Sequence, residues 1–158
     1  MSEFSHIDAS GAARMVDVSA KAETRRTAIA RAVVELNAHT LELLKAKALP
    51  KGDVLTVAQV AGIMAAKRTS ELIPMCHPLP LTHADVRFKV QDEPPSVLLE
   101  ASASTAGRTG VEMEALHAVS AATLTIYDMC KAIDRGMHIT NLRVIEKDGG
   151  KSGHFTQQ

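Results

Sequence analysis

The sequence predicts an α+β fold in which helices cover one face of an antiparallel β-sheet. The first reason is the order of the predicted elements, which is strand, helix, helix, strand, strand, helix, strand. When one helix is left out, this order is the split βαβ pattern. The second reason is a pair of segments that alternate apolar and polar residues around a proline-containing loop, which is typical of a β-hairpin. No repeat or linker divides the chain, so we predict a single domain spanning residues 1–158.

The first part of the chain is predicted to contain a short strand and a long helix. Residues 1–12 are polar and rich in Gly, Ala and Ser, and we expect them to be flexible. A short strand is predicted at residues 15–18. Apolar residues then recur at helical spacing, which predicts an amphipathic helix over residues 24–47 with Thr24 as its N-cap. The residues that set this spacing are Ile29, Val33, Leu36, Thr40 and Leu44.

A second helix is predicted after residues 50–53, where a proline and a glycine interrupt the helical pattern. Thr56 and Gln59 resemble a capping box, which places the start of the helix beside them. The helix is predicted to end near Arg68 or a little beyond. Its predicted buried face consists of Val57, Val60, Ala61 and Met64.

The hairpin comes next. Three prolines fix residues 74–80 in an extended conformation. Residues 84–90 and 97–103 each alternate between apolar and polar side chains, so they are predicted to form two strands joined by a loop at residues 91–96.

The last third of the chain is predicted to hold one helix and one strand. A glycine-bounded turn leads into a helix over residues 111–134, which Gly136 ends. A strand is predicted over residues 137–147, with an irregularity around residues 140–141. The Gly-rich residues 148–158 are expected to be flexible.

The composition excludes several classes of protein. Lys plus Arg and Asp plus Glu are balanced at 18 each, so there is no overall positive field of the kind that binds nucleic acid or a membrane surface. The sequence has neither a secretory signal nor an apolar run long enough to span a membrane. Two cysteines in such a chain are typical of reduced thiols, so we expect a cytoplasmic protein.

The predicted helix over residues 111–134 carries the most information about function. From Ala115 to Tyr127 it contains no Asp, Glu, Lys or Arg, and a helix without charges is normally buried on all sides. We therefore expect a second subunit to cover it. Charge returns as Asp128 and Lys131. Taken alone, this pair is most simply an exposed ion pair, but at a buried helix end it is suited to acid–base catalysis.

Three acidic or histidine side chains have both a structural and a functional interpretation. Glu112 and Glu114 would interact favourably with the positive end of the helix dipole, or would hydrogen-bond a base, a sugar or a pterin ring. His77 lies within the proline-stiffened segment 74–80 and would serve as a proton shuttle or hold a ligand.

Lysines and cysteines give further candidates. Lys51 and Lys67 lie at the two ends of the second helix, where they are either solvated or form a cationic clamp for a polyphosphate. Cys76 is most simply a small buried residue. A zinc site built from Cys76, His77, His83 and Cys130 is conceivable, although no Cys-x-x-Cys spacing supports it.

The sequence resembles the cyclic pyranopterin monophosphate synthases of molybdenum cofactor biosynthesis. The resemblance covers nearly the whole chain, and the segments at about residues 27–50 and 90–104 carry no recognisable block. The blocks that carry it are Met15–Val18, Lys51–Asp53, Ala61–Ile63, Ala65–Thr69, Leu72–Pro74, Cys76–Pro78, Thr109–Leu116, Leu124–Ala132 and Gly149–Gly153.

The resemblance implies a fold, an assembly and a reaction. The implied fold is ferredoxin-like with one inserted helix, and the implied assembly is a homohexamer, a trimer of dimers with active sites between subunits. The implied enzyme is a lyase. It converts (8S)-3′,8-cyclo-7,8-dihydroguanosine 5′-triphosphate to cyclic pyranopterin monophosphate and releases diphosphate. No redox cofactor or protein-bound metal is implied, and Mg²⁺ with the triphosphate is compatible with it.

The resemblance also implies roles for individual residues. Asp128 and Lys131 would carry out acid–base steps, with Lys51 as a second acid. Lys51 and Lys67 would hold the triphosphate. The substrate pocket would be lined by Met75, Cys76, His77, Glu112, Met113 and Glu114.

Two other interpretations stay open at this point. A ferredoxin-like regulator that binds a nucleotide between subunits without turning it over would explain the balanced charge and the covered helix equally well. It would not explain why the acid–base residues Glu114, His117, Asp128 and Lys131 share one face of the last predicted helix. The other alternative is a protein stabilised by the zinc site described above.

Overall fold

The structure is a computed structural model that describes residues 6–8 and 10–158. Within these residues it contains five strands and four helices. The strands are β1 (Thr24–Glu35), β2 (Leu81–Gln91), β3 (Ser96–Gly107), β4 (His138–Asp148) and β5 (Phe155–Thr156). The helices are α1 (Ala38–Lys45), α2 (Val54–Ala66), α3 (Thr69–Leu72) and α4 (Glu112–Cys130).

The strands form one antiparallel sheet in the order β2-β3-β1-β4-β5. In this arrangement α2 connects β1 to β2 and α4 connects β3 to β4, which is the split βαβ connectivity of a ferredoxin-like fold. Both helices pack on the same face of the sheet and against each other. The predicted fold class is confirmed, although two short helices, α1 and α3, are added to the core pattern where one inserted helix was expected.

The first strand lies where sequence analysis predicted a helix over residues 24–47. Only Ala38–Lys45 is helical, and it begins at Asn37, whose side chain accepts a hydrogen bond from the Thr40 N–H at 2.8 Å. Thr24 is the first residue of β1 and caps no helix. The prediction was wrong because alanine favours helices and the apolar spacing matched a helix, whereas pairing with β3 and β4 on both sides stabilises the strand.

Burial along β1 alternates, as a strand requires. Its fully buried side chains are Ala28, Ala30, Ala32 and Val34, and the residues between them are only partly buried. Small side chains on the covered face allow α4 to lie close to the sheet. The short strand predicted at residues 15–18 is also wrong, since this segment has no regular secondary structure.

Helix α2 begins three residues earlier than the proposed capping box. Its N-cap is Asp53, whose carboxylate accepts a hydrogen bond from the Thr56 N–H at 3.2 Å. The predicted buried face was wrong as well, because Val57, Val60 and Met64 are about half exposed. The residues that face the core are instead Val54, Ala58, Gly62 and Ala66.

The reason for this reversal is the close approach of α4. A Cβ added to Gly62 would lie 2.6 Å from Val86 Cγ2 and 2.9 Å from the backbone oxygen of Ala118. At such a distance only small residues fit between the two helices. The larger apolar residues of α2 therefore face outwards.

Helix α4 is confirmed, but it ends at Cys130, with Lys131 as its C-cap, and residues 131–133 form a turn. One side of the helix is buried against the sheet and α2. The described residues leave the opposite side uncovered, since Leu124 is 61% exposed. The burial on all sides that the absence of charges predicted is therefore not found within residues 6–8 and 10–158 of one chain.

The hairpin and the last strand agree with the prediction. β2 and β3 are joined by a turn at residues 92–95. β4 has a register shift opposite Arg31–Val33, and Asn141 has a positive φ of 57°, so the expected irregularity is present. The tail contains β5, which pairs with β4 and was not predicted. None of the helices in the described residues is long and apolar enough to cross a membrane.

Candidate active site

Three of the predicted site residues form an ion-pair cluster at the C-terminal end of α4. Lys131 Nζ lies 2.6 Å from Asp128 Oδ1, and Lys51 Nζ lies 2.9 Å from Asp128 Oδ2. Lys51 also donates to the backbone oxygen of Asp128 at 3.0 Å. Asp128 and Lys131 come from α4, whereas Lys51 comes from the loop between α1 and α2. We call Lys51, Asp128 and Lys131 the C-end cluster.

The electrostatics of the C-end cluster follow from its two cations. The hydrogen bond from Lys131, and then that from Lys51, lower the pKa of Asp128 to about 2. The Asp128 carboxylate in turn raises the pKa of Lys131. At neutral pH the cluster therefore contains a carboxylate between ammonium groups. All three side chains remain about half exposed, so a ligand can reach them.

A second group of predicted residues lines a cavity of about 290 Å³ at the N-terminal end of α4. It contains the six residues that the resemblance assigned to the substrate pocket, which are Met75, Cys76, His77, Glu112, Met113 and Glu114. We call this the N-end cavity. Sequence analysis missed other lining residues, among them Val16, Val18, Lys21, Leu79 and Thr109. Val16, Val18 and Thr109 lie in blocks of the resemblance, but nothing in the sequence indicated Lys21 or Leu79.

The N-end cavity contains a buried carboxylate. Glu114 is 4% exposed, and its burial raises its pKa, with a further contribution from the Glu112 carboxylate. Burial also raises the pKa of the Cys76 thiol, and Glu114 adds to this effect. Cys76 is therefore suited to contact a ligand as a neutral group and is not an activated nucleophile.

Two further contacts define the walls of the N-end cavity. His77 Nε2 donates a hydrogen bond to the backbone oxygen of Val16 at 2.8 Å, which leaves Nδ1 as an acceptor in the neutral ring. Glu112 forms an ion pair of 2.8 Å with Lys147 from β4. Lys147 was not predicted, because a single lysine near the end of a strand carries no distinctive signal.

A cationic cavity of about 480 Å³ adjoins the N-end cavity, and Lys21 lines both. Its other cationic side chains are Arg26 and Lys151, and backbone from the Gly-rich tail completes the wall. The tail lies close to Arg26, since a Cβ on Gly150 would fall 2.1 Å from the guanidinium. Sequence analysis noted the Gly149–Gly153 block but did not connect it with Lys21 or Arg26.

The two groups of site residues are far apart within one chain. Glu114 and Asp128 lie on the same continuous helix, and a rise of 1.5 Å per residue places them about 21 Å apart along it. Thr69 Oγ1, just after α2, lies 3.2 Å from His117 Nδ1 near the start of α4, so α2 and α4 run in opposite directions. Lys67 is therefore at the opposite end of α2 from Lys51, and the structure does not bring these two lysines together.

The four residues of the conceivable zinc site are also separated. Cys76 and His77 line the N-end cavity, whereas Cys130 is buried at the other end of α4. His83 lies on the edge strand β2, where Nε2 is 3.3 Å from Ser102 Oγ. Within residues 6–8 and 10–158, no group of three or more His, Cys, Asp or Glu side chains is arranged to hold a metal ion.

The chain is similar to a known protein family over most of its length. A model of the MoaC family matches residues 15–150. A protein from Nitratidesulfovibrio vulgaris named cyclic pyranopterin monophosphate synthase is 63% identical over 152 residues, covering 96% of this chain and 94% of that protein. Proteins with the same name from Desulfitobacterium hafniense and a Roseiflexus species are 59% and 57% identical, covering 99% and 98% of this chain and 95% and 98% of their own lengths.

Proposed function

The chain belongs to the MoaC family, and we propose that it is a cyclic pyranopterin monophosphate synthase. Its substrate would be the cyclised GTP derivative (8S)-3′,8-cyclo-7,8-dihydroguanosine 5′-triphosphate, and diphosphate would leave as the pyranopterin and its cyclic phosphate form. The observation that carries the proposal is the placement of Asp128 between Lys51 and Lys131 in a chain so similar to synthases over its whole length.

The C-end cluster supplies the proton transfers that this reaction needs. Asp128, with its lowered pKa, is ionised at neutral pH and can accept a proton or stabilise a cationic intermediate. Lys131 is protonated and can donate a proton or neutralise phosphate charge. Lys51 would act as the second acid, and its hydrogen bond to the Asp128 carboxylate supports this role.

The N-end cavity and the cationic cavity supply the binding groups. The carboxylates of Glu112 and Glu114 can accept hydrogen bonds from the N–H groups of the purine-derived ring. The triphosphate then fits the neighbouring cationic cavity, where Lys21, Arg26 and Lys151 surround a volume of about 480 Å³. This differs from the expectation that Lys51 and Lys67 together hold the triphosphate, and a role for Lys67 stays a prediction.

We further propose that each active site combines the C-end cluster of one subunit with the N-end cavity of another. The separation of about 21 Å within one chain supports this proposal. So does an exposed apolar surface on the helical side of the molecule, which is formed by Val57, Val60, Met64, Leu72 and Leu124. Two copies packed through this surface about a two-fold axis perpendicular to α4 would run their α4 helices in opposite directions. The C-end cluster of each would then approach the N-end cavity of the other.

The remaining expectations follow from the same proposal. The assembly would be a homohexamer formed as a trimer of such dimers. The reaction needs no redox cofactor, and Mg²⁺ bound to the triphosphate is compatible with it. A cytoplasmic location is supported by the two free thiols of Cys76 and Cys130.

Complementation between two inactive variants tests the function and the shared site together. Asp128→Ala damages the C-end cluster and Glu114→Ala damages the N-end cavity, so we expect each variant alone to release no diphosphate from the cyclised GTP derivative. When the two are co-expressed, mixed interfaces contain one intact site, and random pairing should restore roughly a quarter of the wild-type activity.

The matched control combines Asp128→Ala with Lys131→Ala. Both changes lie in the C-end cluster, so every mixed site is still damaged and no activity should return. If mixed oligomers of Asp128→Ala and Glu114→Ala form but stay inactive, the site is not shared between subunits. If the wild-type protein binds the cyclised GTP derivative without releasing diphosphate, it is a nucleotide-binding regulator instead.

A further inference from the structure

A buried carboxylate outside the proposed site joins the two segments that carry Lys51 and Lys131. Asp134 is only 8% exposed. Its Oδ2 accepts a hydrogen bond from the Asn37 N–H at 2.8 Å, and its Oδ1 accepts one from the Gly136 N–H at 3.0 Å. Within the described part of the chain, no Lys, Arg or His side chain lies within ion-pair distance of it. Both of its carboxyl oxygens are therefore held by backbone N–H groups.

The first hydrogen bond controls the start of α1. Asn37 is the N-cap of this helix, so a carboxylate on its N–H fixes the residue from which the helix begins. Helix α1 is a rigid segment about 12 Å long, and the loop after it carries Lys51. This loop is itself closed by a hydrogen bond from the Gly52 N–H to the Leu49 oxygen at 3.0 Å. A rotation of α1 at Asn37 would therefore move Lys51.

The second hydrogen bond controls the turn after α4. Lys131 caps α4, and the Asp134 N–H donates back to the Cys130 oxygen at 3.0 Å. The bond from the Gly136 N–H to the Asp134 side chain closes the following turn. The backbone on both sides of Asp134 is thereby fixed, and the direction in which Lys131 leaves the helix is fixed with it.

These contacts form a closed circuit. From Asp134 it runs through Asn37 and α1 to Lys51, then by two hydrogen bonds to Asp128. The last turn of α4 completes the circuit back to Asp134. Nothing in the proposed chemistry uses Asp134, and its burial next to backbone keeps it away from any ligand. Its place in the circuit assigns it an indirect role.

We propose that Asp134 is a positioning residue that holds Lys51 and Lys131 in register with Asp128. The inference rests on the proposed function, because it gives Asp134 a purpose only if the C-end cluster is catalytic. Charge-assisted hydrogen bonds to two backbone N–H groups are strong enough to set such a geometry. Small displacements of catalytic groups reduce turnover strongly.

Asp134→Ala tests the proposal through kinetics and hydrogen exchange on the full-length protein. We expect kcat with the cyclised GTP derivative to fall by about tenfold to a hundredfold. KM should change by less than about threefold, because the N-end cavity and the cationic cavity are untouched. Amide exchange should become roughly tenfold faster in residues 46–53 as well as in residues 131–137. If Asp134 stabilised only its own turn, amide exchange would become faster in residues 131–137 and not in residues 46–53.

Two further variants keep the test decisive. Asp134→Asn preserves the side-chain volume and one acceptor oxygen, so it should fold and show an intermediate fall in kcat. Val86→Ala is the control for a general loss of stability, since Val86 is 1% exposed and lies under α2, away from the circuit. It should leave kcat and the exchange of residues 46–53 unchanged.

The possible failures can be told apart. If Asp134→Ala is folded and keeps wild-type kcat while Asp128→Ala is inactive, the positioning role is wrong and the proposed site stands. If amide exchange in residues 46–53 is unchanged in both Asp134 variants, the loss of the Asp134 hydrogen bonds does not affect the loop that carries Lys51. The inference then also fails. If Asp128→Ala retains full activity, the proposed function of the C-end cluster fails first.

Discussion

Lys51 Nζ donates hydrogen bonds to both the backbone oxygen and the side-chain carboxylate of Asp128, at 3.0 and 2.9 Å. The lysine comes from a loop 77 residues away in sequence, so the contact depends on the tertiary fold. It places a cation at the negative end of the α4 dipole. Lys131 occupies the other carboxylate oxygen, so both oxygens of Asp128 are engaged before a ligand arrives.

Replacing Lys131 by methionine should raise the pKa of Asp128. Lys131 makes the largest contribution to the lowered value of about 2, so its loss should move the pKa part of the way towards about 3.9, the usual value for Asp. Lys51 should prevent a complete return. The pKa would be read from the pH titration of the Asp128 carboxyl carbon by NMR.

The lowered pKa of Asp128 also makes the free energy of unfolding depend on pH. The pairing of Asp128 stabilises the native chain fully above the unfolded-state pKa of about 3.9 and is lost as the pH falls through about 2. Lys131→Met should weaken this dependence. Lys45→Met, which removes a lysine paired with Glu42, should leave the Asp128 titration unchanged. An unchanged Asp128 pKa in Lys131→Met would contradict the geometry of the pair.

Glu114→Gln should stabilise the protein at neutral pH while impairing turnover. Burial raises the pKa of Glu114, so its folded-state value lies above its unfolded-state value. The native chain therefore loses stability as the pH rises from the unfolded-state pKa of Glu114 through its higher folded-state pKa, because the folded chain must then carry a buried charge. Glutamine has no charge to bury. Urea unfolding between pH 4 and pH 8 should show an advantage for the variant that disappears at the acid end.

The control for this prediction is Glu71→Gln on α3. Glu71 is exposed, so its replacement should change neither the stability at pH 7 nor the pH dependence. A Glu114→Gln variant that is less stable than wild type at pH 7 would show that the Glu114 carboxylate is favourably solvated or paired.

Gly62→Ala should destabilise the fold although alanine is the better helix former. The new Cβ would lie 2.9 Å from the Ala118 backbone oxygen and 2.6 Å from Val86, and the backbone of α4 cannot move independently. Overpacking of this kind costs about 1–3 kcal/mol, which exceeds the gain in helix propensity of up to about 1 kcal/mol. The free energy of unfolding in urea measures the balance. Thr56→Ala, at an exposed position of the same helix, should be neutral or slightly stabilising, and equal behaviour of the two variants would refute the close packing.

Elements that depend on local patterns could be predicted from the sequence, whereas elements that depend on contacts between distant residues could not. The hairpin and α4 were predicted because alternation and helical spacing are local patterns. Strand β1 was not, because alanines between partly buried residues favour a helix unless strands pair on both sides. The buried face of α2 was misassigned for a related reason. Sequence analysis placed its largest apolar residues inside, whereas the contact at Gly62 admits only small ones.

The candidate site was predicted in composition but not in arrangement. The motif blocks contained nine of the ten residues, with Met75 lying between two blocks. The structure places nine of the ten in two groups and leaves Lys67 apart. The division could not be seen in the sequence, because helical periodicity shows which residues share a face and does not show whether one ligand can reach both ends. Lys21, Arg26 and Lys151 were missed because they converge from separate segments of the chain.

The length of helix α4 sets the distance between the two groups of site residues. The helix is continuous from Glu112 to Cys130, and it packs closely against α2 at Gly62. One inserted residue would advance the C-end cluster by about 1.5 Å and rotate it by roughly 100°. Insertions and deletions within this helix should therefore be tolerated no better than replacement of Asp128 itself, so that the number of residues in α4 is constrained as strictly as the residues at its ends.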